Sequence, residues 1–127
     1  MIHHIALRVR DLRAACAFYR DLLGLRERRR LLENGRLRAL WLDAGGVVLM
    51  LERRLRGSGA SRGSGHVLVL AARDLASAER RLRAARVHID DRTAHTVYFR
   101  DPDGHRVGLS DFRFARARGR RPRRPSR

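Results

Sequence analysis

The sequence predicts an α+β fold, two βαβββ modules whose strands form a cupped, barrel-like mixed sheet. Three observations carry this. Residues 1–52 and 66–110 read as two copies of one pattern, "HIALRVRDLRAACAFYRDLLGL" opening the first and "HVLVLAARDLASAERRLRAARV" the second. In each copy a period-two apolar run passes into a helical stripe. Three short alternating segments, separated by turn residues, then follow.

The elements follow in chain order. The first strand of each copy starts at a histidine, His4 or His66. Asp11 and Asp74 are candidate N-caps, because a short carboxylate accepts bonds from the first free N–H groups of a helix. Leu12, Ala15, Cys16, Tyr19 and Leu22/Leu23 make one buried stripe, and Gly24 ends that helix. Leu75, Ala78, Leu82 and Ala85 do the same in the second copy. The later strands of the first copy are expected at Arg26–Leu32, Leu37–Asp43 and Val47–Glu52. Asn34-Gly35 marks a tight hairpin between the first two. Those of the second copy are expected at Val87–Ile89, His95–Arg100 and Arg106–Ser110, with "DPDG" turning between the last two.

The organisation is thus one domain over residues 1–112. Module one spans 1–52, a flexible Gly/Ser linker 53–65, and module two 66–112. Neither half is large enough to be stable alone, so they pack together or pair with a second chain. Residues 113–127 hold eight arginines and no acid, and are expected to be disordered. The net charge of +17 comes from 30 arginines, with no lysine, against 13 acids. The uniform use of arginine looks like codon bias, so the charge predicts only weak, non-specific polyanion binding by the tail. No run reaches the roughly 18 apolar residues of a membrane helix. The single cysteine, Cys16, excludes an internal disulfide and fits a cytoplasmic protein. In an apolar helical stripe Cys16 is expected to be a small buried hydrophobe.

Alternation places His4 at the head of the first strand and Val48, Met50 and Glu52 on one face of the last. In the second half, Arg106, Gly108 and Ser110 share the matching face. Aligning the final strands sets Gly108 opposite Glu52. A glycine inside a strand packs nothing and weakens it, so its presence there needs a reason.

These stretches, with "VLMLE" and "YFRDPDGHRVGLS", resemble the vicinal oxygen chelate superfamily over nearly all of residues 1–112. That superfamily includes glyoxalase I, extradiol dioxygenases, fosfomycin-resistance transferases and bleomycin-binding proteins. The resemblance implies a cup built by paired modules, often from two chains, around a divalent metal. Carried over, it places the metal on His4, Glu52 and His66, with Zn, Ni, Fe or Mn as the candidate ions. The fourth family position, a glutamate in "DPDGxxxE", is Gly108 here.

Two imidazoles and a carboxylate are good ligands for such an ion and leave positions open for a bidentate oxygen substrate. The implied activity is that of a metal-dependent lyase or dioxygenase acting on a small oxygen-chelating substrate. Glu52 is the only carboxylate placed to act as base. The alternative is a metal-free protein that binds an antibiotic or metabolite. Substrate contacts are expected from Arg106, Gly108 and Tyr98, and a homodimer is the expected assembly. His3 would point away from the cup. His88, His95 and His105 are expected on the surface, and Trp41 is expected to pack.

Overall fold

The computed structural model describes residues 1–55 and 65–114. The tail from residue 115 and most of the expected Gly/Ser linker therefore lie outside the described residues. Strand β1 (His4–Arg8) leads into helix α1 (Leu12–Cys16), which continues as a π-helical segment over Ala17–Leu22. Strands β2 (Arg26–Glu33), β3 (Arg36–Asp43) and β4 (Val48–Glu52) complete module one. Module two comprises β5 (Leu68–Ala71), α2 (Leu75–Ala84), β6 (Asp91–Arg92), β7 (Thr96–Arg100) and β8 (Arg106–Ser110).

The two modules repeat one topology. The sheets run β1-β4-β3-β2 and β5-β8-β7-β6. In each, the first strand lies parallel to the last, and the remaining pairs are antiparallel. Asp11 caps α1 through Arg13 N at 2.9 Å, and Asp74 caps α2 through Ser77 N at 3.0 Å. The Asn34-Gly35 turn carries φ of 51° and 73°, the pair of positive values that a two-residue hairpin of matching twist requires. At the β3–β4 turn, Gly45 N and Gly46 N donate to Asp43, which holds its carboxyl below the usual carboxylate range.

Three expectations need correction. Val87–Ile89 is not a strand; the outer strand of module two is the two-residue β6. A short edge strand leaves few backbone groups unpaired at the sheet margin. Ala85 does not belong to the buried stripe; it is the exposed C-cap of α2. The first helix widens at Ala17, where Leu23 N bonds Phe18 O five residues back, and both Phe18 and Tyr19 enter the core. Cys16 is buried as expected, and burial pushes its thiol pKa up.

One core spans both modules. It collects Leu40, Leu42, Leu49 and Leu51 from module one with Val97, Phe99, Val107 and Leu109 from module two. The halves are joined there by specific contacts. The Phe18 and Phe99 rings lie 5.9 Å apart. The Tyr19 hydroxyl donates to Asp101 Oδ2 at 2.7 Å, with both residues buried. Asp101 Oδ1 accepts from Asp103 N at 2.9 Å and His105 N at 2.8 Å. His105 Nε2 lies 2.7 Å from Arg8 O, and Arg10 N donates to Asp103 at 2.9 Å. The "FYRDLLGL" and "DPDGH" segments are thus the seam that pins one module to the other.

Candidate functional site

The core takes one face of each sheet, and the residues of the expected cup lie on the other. Paired Cα positions in neighbouring strands share a face. In module one the outer face carries His4, Ala6 and Arg8 from β1, then Val48, Met50 and Glu52 from β4. It continues with Asp43, Trp41 and Ala39 from β3. In module two it carries Val69 and Ala71, Gly108 and Ser110, Tyr98 and Thr96. These two faces are the walls of the expected cup.

The register fixes which residues the repeat makes equivalent. Arg8 pairs with Glu52, and Val9 N donates to Glu52 O at 3.1 Å. Ala71 pairs with Ser110, and Ala72 N donates to Ser110 O at 2.8 Å. Glu52 is therefore the counterpart of Ser110, and Gly108 is the counterpart of Met50. Counting four residues back from Arg8 gives His4; four back from Ala71 gives Val67. By this count the mate of His4 is Val67, the residue just before β5. His66 sits one residue outside that register, before β5 begins.

Within one chain the expected metal set does not assemble: His4, Glu52 and His66 do not gather. Among the described residues no three His, Cys, Asp or Glu side chains form a group that could hold a metal ion. His4 is exposed, its Nδ1 2.7 Å from that of His3. His66 is exposed as well. Glu52 is buried and already engaged: its Oε1 accepts from Arg54 N at 3.0 Å and lies 3.5 Å from Arg38 Nε. Arg38 in turn donates to Glu33 Oε2 at 2.8 Å, so Glu52 belongs to a charge network that ties together the ends of β2, β3 and β4.

The family's divalent metal was expected to draw ligands from both modules. At the repeat-equivalent positions the donors here are His4 against Val67 and Met50 against Gly108. A single imidazole and a thioether do not fit a hard or borderline divalent ion. The residues at these positions do not match the group.

What occupies this face is aromatic and cationic. Tyr98 pairs with Gly108, and Trp41 pairs with Met50. Trp41 and Tyr98 are thus at the same repeat position, and both are half-buried. Gly108 has an ordinary φ, so it is not there for backbone freedom. A Cβ at 108 would lie 3.2 Å from Val69 Cγ2 and 3.3 Å from two carbons of the Tyr98 ring. The glycine is the seat on which that ring rests. Above it lies the Arg106 guanidinium, 4.4 Å from the ring centroid. Arg29 similarly lies 5.6 Å from the centre of Trp41. Thr96 and Ser110 add a hydroxyl pair at 2.9 Å. Val67 and Val69 remain 38% and 43% exposed, an apolar patch beside the Tyr98 shelf.

Of the expected site residues, the sheet brings Arg106, Gly108 and Tyr98 together. Trp41, expected to pack, also shares this face, a placement not read from the sequence. Its signal was the repeat itself, since it matches Tyr98 once the strands are aligned by register. A concavity of about 640 Å³ lies elsewhere, on the module seam between Ala14, Ala17 and Phe18 and the Ala85–His88 stretch.

Residues 1–109 match the family model of the Glyoxalase/Bleomycin resistance protein/Dioxygenase superfamily. The chain is similar to the solved structure of a lactoylglutathione lyase from Agrobacterium tumefaciens. That likeness has 26% identity and a TM-score of 0.64, covering 87% of this chain and 92% of that one. It shares its fold with the fosfomycin resistance protein FosX from Mesorhizobium loti, at 16% identity and a TM-score of 0.71 over 89% and 92% of the two chains. It also shares its fold with TnmS3, an antibiotic binding protein from Streptomyces sp. CB03234. There the identity is 23% and the TM-score 0.68, over 87% and 93%. No curated protein matches it.

Proposed function

We propose, from the premise that the chain belongs to the Glyoxalase/Bleomycin resistance protein/Dioxygenase superfamily, that it is a metal-independent small-molecule-binding protein. One observation carries this. The repeat-equivalent positions of the cup hold His4, Met50, Val67 and Gly108; three of the four widen and grease a cup rather than coordinate an ion, and one imidazole alone is not a metal site. The metal-dependent lyase or dioxygenase reading needs Glu52 free to leave or reach a metal. Its link to Arg38 and its bond from Arg54 N favour a structural duty instead.

The cup is completed by a second copy of the chain. The helical faces of both sheets are spent on the shared core, while Trp41, Val67, Val69 and Tyr98 stay partly open. A ligand wall of this kind, mostly apolar with a few placed polar groups, is what small-molecule sites require. In the dimer, module one of one copy faces module two of the other. The fold's likeness to TnmS3, described as antibiotic binding, fits this reading.

The test uses a neutral planar probe, 2-naphthol, in equilibrium dialysis with and without EDTA. Trp41 is the only tryptophan, so its indole N–H gives a single side-chain cross-peak that reports on the cup. Saturable uptake that shifts this peak and is indifferent to EDTA supports the proposal. Uptake that appears only after a divalent metal is added contradicts it.

A further inference from the structure

Resting on that metal-free reading, we infer that the cup selects planar aromatic carboxylates, with Arg106 stacked on Tyr98 as the receptor for the anionic end.

The guanidinium of Arg106 is positioned but unspent. It stacks 4.4 Å from the centre of the Tyr98 ring. Its nearest acids, Asp90 at 3.9 Å and Asp91 at 3.8 Å, lie beyond hydrogen-bond length. Among the described residues it donates no hydrogen bond. Two loose ion pairs and a ring therefore orient the group without using its N–H fork. A carboxylate matches that fork in a bidentate, planar way, which neither water nor a point anion does as well. Asp90 is shared with Arg100 at 3.8 Å, so two arginines face two carboxylates and the cluster sets no net negative charge against an incoming carboxylate.

The rest of the face specifies the body of the ligand. Gly108 keeps the strand bare beneath the Tyr98 ring, so the shelf stays flat. Val69 and Val67 extend it as exposed apolar surface. Trp41 occupies the repeat-equivalent place in module one, with Met50 paired beside it and Arg29 stacked on it. The two walls are arginine–ring stacks, whose planar guanidinium and ring edges suit a flat π-system more than a branched or flexible one. The carboxyl groups on the module-one face do not oppose this: Glu52 is held by Arg38, and Asp43 accepts from its own turn.

The experiment compares 2-naphthoate with its neutral partner 2-naphthol, using the full chain in EDTA. Dissociation constants come from equilibrium dialysis, and the Trp41 indole peak locates the binding. The expected result is that 2-naphthoate binds at least tenfold tighter than 2-naphthol. Arg106→Gln should abolish that preference, so that the two probes bind with nearly equal dissociation constants. Arg106→Lys should recover only a minor part, because an ammonium lacks the planar fork. Tyr98→Leu, which keeps the arginine but removes its support, should also lose most of the preference. The arginine-rich tail is unchanged in all three variants, so anion binding by the tail would persist in Arg106→Gln. Persistence of the preference there overturns the inference. Equal binding of both probes overturns the charge preference and leaves the metal-free cup standing. Failure of both probes to bind or shift Trp41 overturns the inference together with the reading beneath it.

Discussion

Tyr19→Phe removes one oxygen and tests the seam between the modules. The Tyr19 hydroxyl donates at 2.7 Å to Asp101 Oδ2, and the two residues are 0% and 5% exposed. Burial, reinforced by the adjacent Asp101 carboxylate, pushes the phenol pKa far up, so the hydroxyl is a donor throughout the working range. Phenylalanine fits the same space and leaves Oδ2 buried without this partner. Oδ1 keeps its bonds from Asp103 N and His105 N, so the turn itself survives. A hydrogen bond to a charged acceptor contributes about 1.5–3 kcal/mol, and that is the expected loss. With a urea slope of about 1.5 kcal/mol per molar, the unfolding midpoint falls by about 1–2 M with the slope unchanged. Urea denaturation followed by far-UV circular dichroism measures this. A loss below about 0.5 kcal/mol would refute the claim that this bond holds the modules together.

Three further outcomes follow from the same geometry. Gly108→Ala should cost less than about 1 kcal/mol, since the new methyl needs Val69 and Tyr98 to give only a few tenths of an ångström. It should nevertheless weaken 2-naphthoate several-fold by tilting the Tyr98–Arg106 stack; dialysis and thermal melts separate the two effects. Glu52→Gln should cost about 1 kcal/mol through the loosened Arg38 network, a modest value because Arg38 is part-exposed. It should leave probe affinity unchanged, and loss of binding would return Glu52 to the site. Ala17→Trp, filling the seam concavity of about 640 Å³, should leave dialysis constants for both probes unaltered; a large drop would move the site to the seam.

The fold was legible because its signals are local and repeated. The Asp11 and Asp74 caps, the Asn34-Gly35 turn and the alternation in β3, β4 and β8 each follow from neighbours in the chain. The site was harder for a definite reason. His4 precedes Asp11 by seven residues, whereas His66 precedes Asp74 by eight. In a strand one residue is the difference between the two faces, so matching histidine to histidine broke the register that the backbone keeps. The Glu52–Gly108 pairing failed by two residues, which preserves the face and hides the error. Val87–Ile89 looked like a strand by composition, but Val87 N bonds Leu82 O and the segment closes the end of α2. Trp41 became informative only when the hydrogen-bonded ladder set it beside Met50 and made it the mate of Tyr98.

The most direct measurement is the metal content of the purified full chain after exposure to Zn, Ni, Fe(II) and Mn, with His4→Ala and His66→Ala in parallel. A cup lined by Met50, Val67 and Gly108 predicts well under one equivalent of any ion and no difference among the three proteins. One tightly held equivalent that disappears in both histidine variants would contradict it.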